Sequence, residues 1–202
     1  MSGDYSRKRF NPEKHYQGVL RQQGRVDLDA DWNEYVDLQD RRWRAETIDV
    51  VGRSGVPDET PDGFKIAVSG GELTVGQGRM YVDGYVAENH GTAPAFEPTL
   101  EEGYGTAALP VKNQPYGGPV TVPAQVRSLV YLDVWRREVT HLQAPDLIVP
   151  AVNVDSTTRY QTAWQVRVLA NIPPDITCDT PLSDIPGWPT GNRFSSARFT
   201  TT

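Results

Sequence analysis

The feature that most constrains this chain is the run from Ala30 to Val51, which contains neither proline nor glycine and is closed by Gly52. Elsewhere the 202 residues carry 18 Gly and 16 Pro, a frequency that favours turns and extended segments over a helical bundle. The uninterrupted run therefore predicts one long helix, with Gly52 as its stop. Asp27 or Asp29 stands where an N-cap is expected, because a carboxylate can accept the free N–H groups of the first turn and suits the positive end of the helix dipole. Trp32, Val36, Trp43, Thr47 and Val50 recur at helical steps on one face, and Leu28, Tyr35, Leu38, Ala45 and Ile48 form a second strip beside it. Two apolar strips predict a helix covered on more than one side.

Before the helix, residues 1–9 are polar and read as an arm. Asn11-Pro12 is a turn opener, His15, Tyr16, Val19 and Leu20 make a small apolar cluster, and Gly18 and Gly24 permit sharp bends. After a link at 53–63 the period changes from helical to alternating. Residues 64–68 and 72–75 read as strands around a Gly70-Gly71 turn, and 78–86 as a hairpin-like pair with Asp83-Gly84 at its turn or bulge. Residues 91–125 read as a long loop. Residues 127–142 are apolar on both faces, with Leu129, Tyr131, Asp133 and Trp135 against Val130, Leu132 and Val134, which marks a central strand. Residues 157–170 supply its partner, and the Pro-rich tail from Asn171 reads as irregular and unfinished, as in a piece of a longer protein. The fold class is α+β: an N-terminal arm and one long helix, then a mainly antiparallel β domain with long loops. The expected divisions are 1–26 (arm and turn), 27–63 (helix and linker), 64–175 (β-rich domain) and 176–202 (tail).

Composition narrows the function. A net charge of −6 disfavours a nucleic-acid partner, since phosphate binding needs a basic face. Arg41, Arg42 and Arg44 cluster, but Asp37, Asp40, Glu46 and Asp49 surround them. A mean hydropathy of −0.52 suits a soluble surface, and no apolar run reaches the ~20 residues that span a bilayer. The single Cys178 cannot form an internal disulfide, and the polar first residues lack the apolar stretch of a signal peptide. Cytoplasmic assembly is the expectation, with action outside the cell left open.

Catalytic and metal motifs fail on inspection. Asp27, Asp29 and Asp31 open like a calcium loop, but its sixth and twelfth positions hold Trp32 and Leu38, where Gly and Glu are required. His15, His90 and His141 lack partners at ligand spacing. Gly76-Gln77-Gly78 is too short for a dinucleotide loop, and the adjacent Glu101 and Glu102 point to opposite sides of an extended segment, unlike a glycosidase pair. Nothing beside Cys178 supplies an activating base. The expectation is no enzyme, no metal and no cofactor. Most tryptophans and tyrosines fall at core positions, Trp188 in the tail being the exception that could meet a ligand.

The block from Phe10 to Leu20, then Gln22 to Val26 and Leu28 to Glu34, resembles an uncharacterised family whose members occur in bacterial contractile injection system and prophage-tail gene clusters. The resemblance continues through Gly78 to Gly84, Tyr131 to Trp135, Thr157 to Arg159 and Trp164 to Val168, and departs at Pro150 to Asn153, where a Gly-rich turn is expected. It implies a structural accessory of a baseplate, spike or fibre, present as a trimer or hexamer and contacting other subunits of the particle. Phe10, His15, Tyr16, Trp32, Tyr35, Val36 and Trp43 are the candidate interface. The rival readings are a glycan-binding module using Trp188 or the 91–125 loop, and, ranked last, a cell-wall hydrolase.

Overall fold

The structure is a computed structural model that describes residues 3–69, 72–92, 107–120, 123, 126–177, 179–189 and 195–198. Gly70-Gly71, most of the 91–125 loop with Glu101 and Glu102, and Cys178 lie outside the described residues. The architecture is α+β, with one α-helix and mainly antiparallel sheets among the described residues. The chain divides into two compact units, Met1–Gly52 with Arg137–Gln161, and Arg53–Arg136 with Thr162–Thr202.

In the first unit a short 3-10 turn, Pro12–Lys14, precedes helix α1, Asp29–Val51. Asn11 opens that turn by accepting the Glu13 N–H on its side-chain oxygen (2.9 Å). His15 closes it at a left-handed φ of 55°, and Gly24 turns the chain again at φ 71°. The expected apolar cluster before the helix does not form: Tyr16 and Leu20 are exposed, Leu20 at 92%. The aspartate cap is also absent. Leu28 occupies the cap position with no side-chain hydrogen bond, and Asp29 is the first helical residue. Its carboxylate accepts instead from the arm, from Ser6 N–H (2.8 Å) and Ser6 O–H (2.6 Å). Asp29 and Asp31 still lie in the first turn, where the dipole favours negative charge.

The second unit holds the core. Strand β1 (Ser54–Gly55) pairs with β4 (Gly78–Val82), which pairs with β5 (Tyr85–Asn89). The β4–β5 turn has φ 46° at Asp83 and 80° at Gly84, the two positive values that a two-residue hairpin needs to match strand twist. A second antiparallel sheet orders β2 (Ile66–Ser69), β3 (Glu72–Val75) and β6 (Leu109–Pro110). Gly76 is glycine because of packing: a Cβ there would stand 2.2 Å from the Asp62 carbonyl oxygen.

The long strand β7 (Ser128–Val139) lies between β10 (Arg159–Ala170) and β11 (Ser195–Arg198), central as its two apolar faces require. The unit division cuts β7 after Arg136 and β10 after Gln161. One β7 face, Val130, Leu132 and Val134, joins Phe64, Val75 and Trp164 in the main core. On the other, Leu129 packs with Ile172, Ile176 and Ile185. The tail is therefore not wholly irregular: β11 pairs antiparallel with β7, Ser195 opposite Val134 and Arg198 opposite Tyr131. The loop around 111–114 also contributes more than its composition suggests. Val111 is buried, and the Gln114 side-chain oxygen accepts the Val166 N–H (2.8 Å). In the first unit, β8 (Ile148–Val149) and β9 (Val154–Asp155) form a small hairpin. Asn153 takes φ 53° there, the left-handed conformation that a glycine would otherwise serve.

Candidate functional site

The candidate residues converge on α1 and the arm beside it, all within the first unit. Ala30 and Leu38 are the buried residues of the helix. On the same side Arg41 and Ala45 are exposed, so the helix is covered only along its N-terminal half. The two apolar strips are not both covered: Trp32 is 61% exposed, Trp43 67% and Val50 79%, and Tyr35 is exposed as well. Phe10 and Val36 are half-buried, whereas His15 and Tyr16 face solvent. Trp32 and Tyr35 stand 6.2 Å apart, tilted by 45°, and Lys14 Nζ lies 5.7 Å from the Tyr16 ring centroid.

Two open concavities flank the helix. One, of 820 Å³, is walled by the 16–28 segment and by Trp32 and Tyr35. The other, of 410 Å³, is bordered by Phe10, His15 and Tyr16 against Leu38 and Arg42. Both mix apolar and guanidinium groups.

The arm is held by carboxylates. Arg9 pairs with Asp31, and Ser6 with Asp29, whose carboxyl these hydrogen bonds hold below its ordinary pKa. Glu138 Oε1 accepts both Gly3 N–H (2.6 Å) and Tyr5 O–H (2.5 Å). Burial alone would raise the Glu138 pKa, but Tyr5, Gly3 and Thr158 outweigh it and depress the value. Burial and Glu138 push the Tyr5 phenol up. These anchors have no sequence signal, since Tyr5 and Glu138 are 133 residues apart.

Other sequence candidates resolve into structure. Trp188 packs on Tyr131, ring centroids 4.7 Å apart, and against the Ile172–Ile185 cluster, which leaves it half-buried. Tyr131 has its pKa raised by burial. Asp133, buried on the same strand, forms an ion pair with Arg167 (3.0 Å). His141 Nδ1 lies 2.7 Å from Asp155 Oδ2, tying the end of β7 to β9. Among the described residues no three His, Cys, Asp or Glu side chains gather to hold a metal, and no helix is long and apolar enough to cross a membrane.

No curated protein and no solved structure matches the chain. The family described as a family of unknown function, DUF6519, matches residues 1–183, most of the sequence, and the chain belongs to it.

Proposed function

We propose that this chain is a structural, non-enzymatic subunit of a phage-tail-like contractile injection particle, an accessory of its baseplate, spike or fibre region that docks through α1 and the N-terminal arm. The observation that carries this is the solvent-facing row of Trp32, Tyr35, Trp43 and Val50 on a helix that buries Ala30 and Leu38 on its other side. Single exposed apolar residues are ordinary, but aligned aromatics on a rigid element are the usual make-up of a protein contact. The resemblance of the Phe10–Glu34 block to tail-cluster proteins supplies the kind of assembly. Cytoplasmic assembly and a cyclic copy number of three or six follow from that reading.

The test is recovery of the tagged chain in purified particles, wild type against Trp32→Ala/Trp43→Ala. Incorporation should fall at least tenfold while circular dichroism of the free chain is unchanged. A chain absent from particles, or incorporated equally well without both tryptophans, refutes the reading.

A further inference from the structure

The 410 Å³ concavity beside α1 is walled on the helix side by Leu38, Arg41, Arg42 and Ala45, and on the arm side by Phe10, Pro12, His15 and Tyr16. No described carboxylate borders it, although the chain has 26 acids against 20 bases. The neighbouring 820 Å³ concavity, by contrast, includes Asp27, Asp31 and Glu34. Asp37 and Glu46 stand four residues from Arg41 and Arg42, a spacing at which charges on a helix commonly pair. Even so, among the described residues neither arginine takes part in an ion pair. The Gln39 side chain donates to the Gln17 carbonyl at 3.4 Å and ties the arm wall to the helix, so the chain itself builds the groove.

Helix geometry says what kind of anion fits. At about 100° per residue, Leu38 and Ala45 share one strip, and Arg41 and Arg42 leave the helix on either side of it, about 60° and 40° from Leu38. The two guanidiniums therefore flank an apolar floor, whereas a single compact phosphate would want them side by side. Each is a planar fork that matches a carboxylate. A ligand that uses both carries two separated oxyanions with an apolar group between them. His15 adds a ring N–H donor, and Phe10 and Tyr16 offer aromatic area to the apolar group. Arginines among aromatic rings are the usual make-up of the strongest positions in protein contacts. The net charge of −6 repels an anionic partner at long range, so attraction has to come from this local set. Resting on the docking role proposed above for α1 and the arm, we infer that the groove takes an acidic peptide segment of another subunit, with carboxylates on either side of an apolar residue.

The experiment uses the full chain and a fluorescein-labelled peptide of repeating Glu-Ser-Leu-Ser, in which alternate residues of an extended strand present glutamate and leucine on one side. Fluorescence anisotropy should show saturable binding. Arg41→Gln/Arg42→Gln should weaken it at least tenfold with an unchanged circular dichroism spectrum, while Arg25→Gln, an exposed arginine of the other concavity, should leave it unchanged. A peptide of repeating Glu-Ser-Ser-Ser should bind several times more weakly. Absence of binding, or an equal loss in the Arg25→Gln chain, would overturn the inference. So would inorganic polyphosphate that displaces the label more strongly than unlabelled peptide, which would assign the groove to a phosphate chain. Particle incorporation is read separately. A chain that binds the peptide through Arg41 and Arg42 but is absent from particles refutes the docking role and leaves the acid-binding groove supported, and a chain that enters particles without binding the peptide does the reverse.

Discussion

Phe64 offers a prediction in which two physical effects have opposite signs. The residue is 0% exposed, meets Trp164 edge-on at 5.0 Å, and holds φ 59°. Removing a fully buried ring costs about 3–5 kcal/mol, so Phe64→Ala should lose that much stability. Phe64→Gly removes one more carbon and, in ordinary backbone, would sit ~0.5–1 kcal/mol below alanine. A non-glycine residue in left-handed backbone, however, carries roughly 1–2 kcal/mol of strain that glycine escapes. The difference leaves Phe64→Gly equal to Phe64→Ala or above it, by up to about 1.5 kcal/mol. Urea unfolding followed by far-UV circular dichroism reads both midpoints. An alanine variant more stable than the glycine variant by the ordinary margin would refute the left-handed assignment. A loss below about 1 kcal/mol for either would refute its place in the core.

Two further predictions test the packing and the arm. Trp164 Nε1 donates to the Glu88 carbonyl at 2.7 Å, so Trp164→Phe should cost about 1–3 kcal/mol in urea unfolding, and a neutral result would mean the bond contributes nothing. Glu138 has a depressed pKa, so its contribution is present above the ordinary carboxylate range and disappears as pH falls through the depressed value. The Tm difference between wild type and Glu138→Gln should follow that course, and a difference that grows on acidification would contradict the anchoring by Tyr5 and Gly3.

The sequence by itself determined the elements whose signals are local. The Pro- and Gly-free stretch before Gly52 set α1 and its end, and the acidic residues Asp27 and Asp29 marked its start near the observed Asp29. Asp83-Gly84 specified its hairpin because both residues tolerate positive φ, and the two-faced apolar run marked β7 as central. Tertiary structure decided what depends on residues far apart in the chain. Asp29 looks like a cap in sequence, but Ser6 arrives to claim its carboxylate. Trp188 looks free among prolines and glycines, but Tyr131 is brought beneath it. The tail gives no strand signal, since a ladder is specified by its partner as much as by its own residues. The same holds for the aromatic face of α1. Periodicity reveals that Trp32, Val36 and Trp43 share a face, yet whether a face is covered depends on what the rest of the chain brings against it. Here the chain covers Ala30 and Leu38 and leaves the tryptophans in water.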